Sequence, residues 1–187
     1  MLTPNFETFP VLATERLILR NHEQTDLQAS FELRTNEDVM RYIDRPRPAN
    51  IQDCENQFSF IKECFATNQM LVWVIALKEN PEKMIGTIGY YRTIYANHRA
   101  EIGYMLHPSY WRMGIIDEAL RHTIAFGFET LNLHSIEANI NPGNDASRQM
   151  LLKHNFVKEA YFKENYYFNG KFLDSEIYSL LKNTKMG

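Results

Sequence analysis

The stretch AEIGYMLHPSYWRMGIIDEAL, residues 100–120, changes its period part-way along. Up to Leu106 the side chains alternate as in a strand. Glu101, Gly103 and Met105 fall on one face, and Ile102, Tyr104 and Leu106 on the other. Beyond a turn containing Pro108 and Gly114 the spacing becomes helical. Ala119, Leu120, Ile124, Gly127, Phe128 and Leu131 lie along one side of a helix predicted over Asp117–Leu131. A strand running through a turn into a helix leaves the first N–H groups of that helix without intrahelical partners. Together with the helix dipole they form an anion site, suited to a pyrophosphate. Gly114 would let such a ligand approach the backbone, although a glycine here serves an ordinary tight turn equally well. Glu101, a carboxylate within a strand pattern, either lines a polar cleft or is solvated on an exposed sheet face.

Working outward toward the N-terminus, Leu71–Leu77 and Met84–Tyr91 read as strands separated by the turn Glu79-Asn80-Pro81-Glu82. With Ala100–Leu106 they form a meander of antiparallel strands. Further back lie a strand at Arg16–Arg20 and short helices at Asp26–Arg34 and Glu37–Tyr42. Arg45-Pro46-Arg47-Pro48 is an extended loop. A longer helix from Asn50 to Thr67 carries Phe58, Ile61, Cys64 and Phe65 along one side, with Asn50 as its cap.

Toward the C-terminus a strand at Ser135–Ile140 is followed by the turn Asn141-Pro142-Gly143 and a helix over Asp145–His154. Asn144 reads as its N-cap and Ser147 falls in its first turn. Lys158–Phe168 and Phe172–Leu181 make a hairpin across Asn169-Gly170. The whole reads as a mixed α/β sheet flanked by helices, and residues 1–187 as a single domain.

Composition narrows the function classes. Of the 187 residues 44% are hydrophobic, enough for a core, and the net charge of −3 offers no basic stripe for nucleic acid. No stretch approaches about 18 uninterrupted apolar residues, so no membrane span is expected. Cys54 and Cys64 lie in one predicted helix, about 15 Å apart, too far for a disulfide. With no signal peptide pattern and no Cys/His metal spacing, a reducing cytoplasm and no metal are expected. The phosphate-loop, dinucleotide, zinc-protease and serine-hydrolase motifs are all missing.

Ala13-Thr14-Glu15-Arg16-Leu17-Ile18-Leu19-Arg20, Ile85-Gly86-Thr87-Ile88-Gly89, AEIGY, Pro108-x-Tyr110-Trp111, Gly114 with Glu118-Ala119, Asn144 with Ser147, and Leu152-Lys153-His154-Asn155-Phe156 occur in this order. Taken together they resemble the GNAT acetyltransferase superfamily, in particular its ribosomal-protein-alanine N-acetyltransferase (RimJ/RimL-like) branch, over Leu12–Leu181. The resemblance implies the acyl-CoA N-acyltransferase fold, a mostly antiparallel sheet in which Ala100–Leu106 and Ser135–Ile140 run parallel and splay apart. It implies acetyl-CoA as acyl donor. The pantetheine arm would lie along the backbone of Tyr104, Met105 and Leu106, the pyrophosphate on Met113, Gly114, Ile115 and Ile116, and Asn144 and Ser147 beside the cofactor. It also implies Glu101 as general base, acting through water, on a primary amine.

Many superfamily members use a tyrosine in the last helix to protonate the leaving thiolate. That position here is Leu151, and Ser147 is the substitute the branch suggests. The acceptor would be a protein N-terminus, a polyamine, an amino acid or an amino-bearing drug, and a homodimer is plausible by resemblance. The turn departs from the superfamily pattern at Met113, Ile116 and Asp117. Asp117 and Glu118 place negative charge where phosphates would sit. A second reading, a GNAT-fold CoA-binding or regulatory module with impaired catalysis, rests on Ile116 and Asp117. In the closing motif Asn155 stands where glycine is usual, and asparagine tolerates the left-handed backbone.

Overall fold

A computed structural model describes residues 8–182. Two short strands, β1 (Leu12–Ala13) and β2 (Leu17–Arg20), lead through a 3-10 turn into helices α1 (Leu27–Thr35), α2 (Glu37–Met40) and α3 (Ile51–Ala66). The meander follows as β3 (Leu71–Leu77), β4 (Gly86–Ile94) and β5 (Arg99–Leu106). Then come α4 (Ile115–Glu129), β6 (Ser135–Ile140), α5 (Asp145–Lys153) and the hairpin β7 (Val157–Phe168) with β8 (Lys171–Leu181). The spatial order is β1-β2-β3-β4-β5-β6-β8-β7, and β5–β6 is the parallel pair in an otherwise antiparallel sheet. This is the mixed sheet the sequence predicts.

Helices cover both faces. Burial runs almost unbroken along β3, from Leu71 to Ala76, because neither face meets water. Trp73 and Ile75 pack with Leu17, Leu19, Ile88, Tyr90 and Ile102 against Ile115, Ala119, Leu120, Ile124 and Phe128 of α4. Val74 points the other way, to Leu33 of α1, Val39 of α2, Met84 and Met105. The predicted alternation of β5 therefore holds: Ile102 and Leu106 join the α4 core, and Met105 the opposite one.

One glycine sits inside α4, where it costs about 1 kcal/mol against alanine. Tyr90 explains it. Its hydroxyl donates to the carbonyl of Thr123 at 2.8 Å, and a Cβ on Gly127 would stand 2.1 Å from that oxygen. The glycine is the gap through which the phenol reaches the helix backbone.

The structure shifts some boundaries. α4 begins at Ile115, one turn-fraction earlier than the predicted Asp117, because Gly114 at φ +74° is its N-cap and Ile115 is already buried. β1 had no sequence signal at two residues in length. β4 runs on to Ile94 past a bulge, since Tyr90 pairs with Ile102 but Arg92 with Glu101, leaving Tyr91 unpaired. Cys54 and Cys64 are both buried and free. Asn155 adopts φ +61°, the left-handed conformation expected of it.

Candidate active site

β5 and β6 pair only through Arg99–Ser135, Ala100–Ile136 and Glu101–Glu137. Beyond that point they part, so the backbone from Ile102 to Leu106 has no strand partner on this side. A cavity of about 810 Å³ enters the gap. One end reaches Trp111, Arg112, Gly114, Ile115 and Ile116, while the other is walled by α1, α2, the loop after α2 and Tyr166 of β7. Of the predicted cofactor-binding residues, Tyr104, Met105, Leu106, Gly114, Ile115, Ile116, Asn144 and Ser147 line it. The Met113 side chain is exposed and lies off the wall.

The turn end fits an anion. Gly114 carries no side-chain cap, and the first backbone bond of α4 runs from Glu118 N to Gly114 O at 3.1 Å. The N–H groups of Ile115, Ile116 and Asp117 therefore lack intrahelical partners. Arg16 approaches from the residue before β2. Its Nη1 donates to Met113 O at 3.0 Å, and its Nη2 lies 3.4 Å from where a Gly114 Cβ would stand.

The two acids that the sequence places against phosphates are both engaged elsewhere. Glu118 is buried and accepts from Thr14 Oγ1, Arg16 N and Arg16 Nε. Burial pushes its carboxyl up, yet these donors together hold it below the usual carboxylate range. Asp117 is paired with Lys153 at 2.8 Å and with His154 at 3.0 Å. The Lys153 hydrogen bond leads in lowering its pKa. The acids are thus met by Arg121, one turn on at 3.6 Å, and by Arg16 and Lys153, which lie far off in sequence and had no signal near the turn.

On the α5 side Asn144 Oδ1 accepts from Ser147 N at 3.1 Å, so Asn144 caps the helix while also lining the cavity. The buried Ser147 hydroxyl lies 2.8 Å from the Tyr104 hydroxyl. Burial pushes the Tyr104 phenol up to about 12, against a smaller opposing effect of the Ser147 bond. Tyr104 thus stays protonated at neutral pH. Leu151 is wholly buried.

Glu101 lines the cavity at the last paired position before the seam opens. Burial raises its pKa above the carboxylate range, while Arg92 at 2.6 Å pulls it back and Glu137 pushes it up. The β4 bulge creates this contact, because the extra residue sets Arg92 opposite Glu101. The bulged residue, Tyr91, lays its ring over Gly103, with ring carbons 3.2 Å from a Cβ built there. The sequence reading missed Arg92 and Tyr91. The adjacent tyrosines at 90 and 91, which break the alternation of β4, are the signal that marks the bulge.

The chain is similar to known proteins in sequence and in fold. The family model described as an acetyltransferase (GNAT) domain matches residues 16–157. The chain is 33% identical to the uncharacterized N-acetyltransferase YoaA of Bacillus subtilis (strain 168), over 93% of this chain and 98% of that protein. The chain belongs to the GNAT acetyltransferase family.

As a GNAT enzyme it is an acetyl-CoA-dependent N-acetyltransferase. Its fold matches the ribosomal-protein-S5-alanine acetyltransferase from Vibrio fischeri, with a TM-score of 0.80 at 26% identity, covering 93% of this chain and 97% of that one. It also matches the spermidine N-acetyltransferase from Vibrio cholerae solved with CoA and spermine, with a TM-score of 0.78 at 21% identity, covering 89% and 95%. Among the described residues of this GNAT chain no cluster of three or more potential metal ligands occurs, and no helix is long and apolar enough to cross a membrane.

Proposed function

We propose that this GNAT enzyme acetylates a primary amine, on a small molecule or a protein N-terminus, by direct attack within a ternary complex. The supporting observation is the single cavity that joins the uncapped start of α4, the open β5–β6 seam and the acceptor wall. Acetyl-CoA supplies an activated acetyl group. The residues suited to hold it are the N–H groups at Ile115 and Ile116 with Arg16 for phosphate, and the unpaired β5 edge for the pantetheine amides.

An alkylammonium must lose a proton before its nitrogen can bond to the acetyl carbon. Glu101 is the acceptor for that proton through water, since its raised pKa suits a general base. A β5 backbone N–H polarises the carbonyl. As the carbon–sulfur bond breaks, Ser147 donates toward the sulfur while the protonated Tyr104 hydroxyl supports its oxygen.

The pairing of Asp117 with Lys153, His154 and Arg121 favours the enzyme over the impaired-module reading. Thiol release from acetyl-CoA over an amine panel, with thermal melting alongside, tests the proposal. Acceptor-dependent release supports it. A melting shift with acetyl-CoA but no transfer to any amine leaves the binding module as the better account. At a hundred times its Kd the ligand adds about 2.7 kcal/mol.

A further inference from the structure

We infer that the acceptor amine also carries a carboxylate, which Arg34 and Arg45 receive. The inference builds on the amine-acetyltransferase reading and specifies its substrate as an amino acid.

The charges on the acceptor wall do not balance. Three carboxylates line the cavity. Asp38 pairs with Arg41 at 2.7 Å and Glu101 with Arg92 at 2.6 Å. Asp44 accepts from Asn141 Nδ2 at 3.3 Å and from the Tyr166 hydroxyl. Each therefore has its donors.

Arg34 and Arg45 line the same wall, and among the described residues neither meets a carboxylate within salt-bridge distance. Arg34 donates to the Gln57 amide oxygen and, at 3.3 Å, to Pro46 O, both neutral groups. It is half-buried, and burial disfavours its charge; Cys54, a hydrogen-bond partner, and Tyr91 offset this in part, while neighbouring Arg45 adds to it. Arg45, exposed at the cavity mouth, holds its guanidinium 5.9 Å from the centre of the Tyr91 ring. That ring covers Gly103 at the open β5 edge. The Arg45 guanidinium thus lies one aromatic ring away from the strand on which the acetyl group is to be presented.

A guanidinium fork matches a carboxylate in two parallel hydrogen bonds. A partly buried cation without a counter-charge gains most from such a partner. A phosphate dianion suits the wall less, because Asp44 and Glu101 share it and a second negative charge would be repelled. The substrate then lies with its amine toward Glu101 and its carboxylate toward Arg45.

The test is steady-state transfer from acetyl-CoA to each of the common L-amino acids and to the carboxamide of each, with spermidine and an amidated alanyl peptide as comparators. At least one amino acid should exceed its carboxamide in kcat/KM by about tenfold or more, the worth of a charge-assisted hydrogen bond. Arg45→Ala should remove most of that preference through KM, with kcat largely kept, and Arg45→Lys should keep part of it. Arg34→Lys should lower it too, with melting temperature checked because Arg34 ties α1 to α3. Equal use of acids and carboxamides, transfer to spermidine or the peptide alone, or a preference that survives both Arg45→Ala and Arg34→Lys overturns the inference while leaving amine transfer intact. Transfer to no amine at all, with acetyl-CoA still raising the melting temperature, defeats the amine-transfer reading and this inference with it.

Discussion

The two ends of the cavity are built differently. The backbone of the turn end comes from contiguous chain, in which β5, the Gly114 turn and the start of α4 follow one another within residues 99–129, and Arg16 reaches it from outside that segment. The acceptor end gathers Arg34 from α1, Asp44 and Arg45 from the loop after α2, Tyr91 from the β4 bulge and Tyr166 from β7. A contiguous site is fixed by local backbone rules. A gathered site can be retuned one segment at a time without disturbing the fold. Changes at the turn should therefore act on acetyl-CoA, and changes at the acceptor wall on the amine.

The largest effect should fall where the two ends meet. Glu101→Gln is expected to lower kcat by about 10²–10⁴ with little change in acetyl-CoA affinity. Near-normal turnover would remove Glu101 as an essential base. Gly114→Val tests the turn end. A β-branched residue at φ +74° is strained by about 1–2 kcal/mol and crowds the approach to the helix start. Acetyl-CoA affinity should drop by about tenfold while the acceptor KM holds, and a rise in acceptor KM alone would show that the two ends are not separable.

Arg92→Ala should sharpen the picture through pH. Arg92 lowers the Glu101 pKa, so its loss raises it. A base works only when deprotonated. The acid limb of kcat should then move to higher pH than in the wild type, whose own limb lies above the ordinary carboxylate range. An unmoved limb would mean that another group titrates there. The smallest effect is expected from Asp117→Asn. Because Asp117 is held by Lys153 and His154, acetyl-CoA affinity should change by about twofold at most, as for a surface ion pair. A large gain would show that this carboxylate does repel phosphate.

How much was legible follows the same division. Periodicity exposed the meander, α4, α5 and the hairpin, because alternating and helical spacings are local properties of the chain. Glu101, Tyr104, Ser147 and the Gly114 turn, which line the cavity, could be named from sequence because each lies in or beside a short motif. Arg92 and Tyr91 were passed over because one extra residue in β4 changes which side chains face Glu101, and pairing register is a long-range property. Most partners of the acidic start of α4 were out of reach for the same reason. Arg16 and Lys153 come from remote segments, and Arg121 alone of these cations lies within a turn.

By itself, then, the sequence determined the order and type of the strands and helices, the family, and the strand-turn-helix with its unpartnered N–H groups. These depend on neighbours a few residues apart. Only the tertiary structure decided where β5 and β6 part, which acids are neutralised, and which arginines are left facing the cavity without a counter-charge. Those outcomes depend on which remote side chains fold to within a few ångströms of one another, and burial then makes each missing or added partner count.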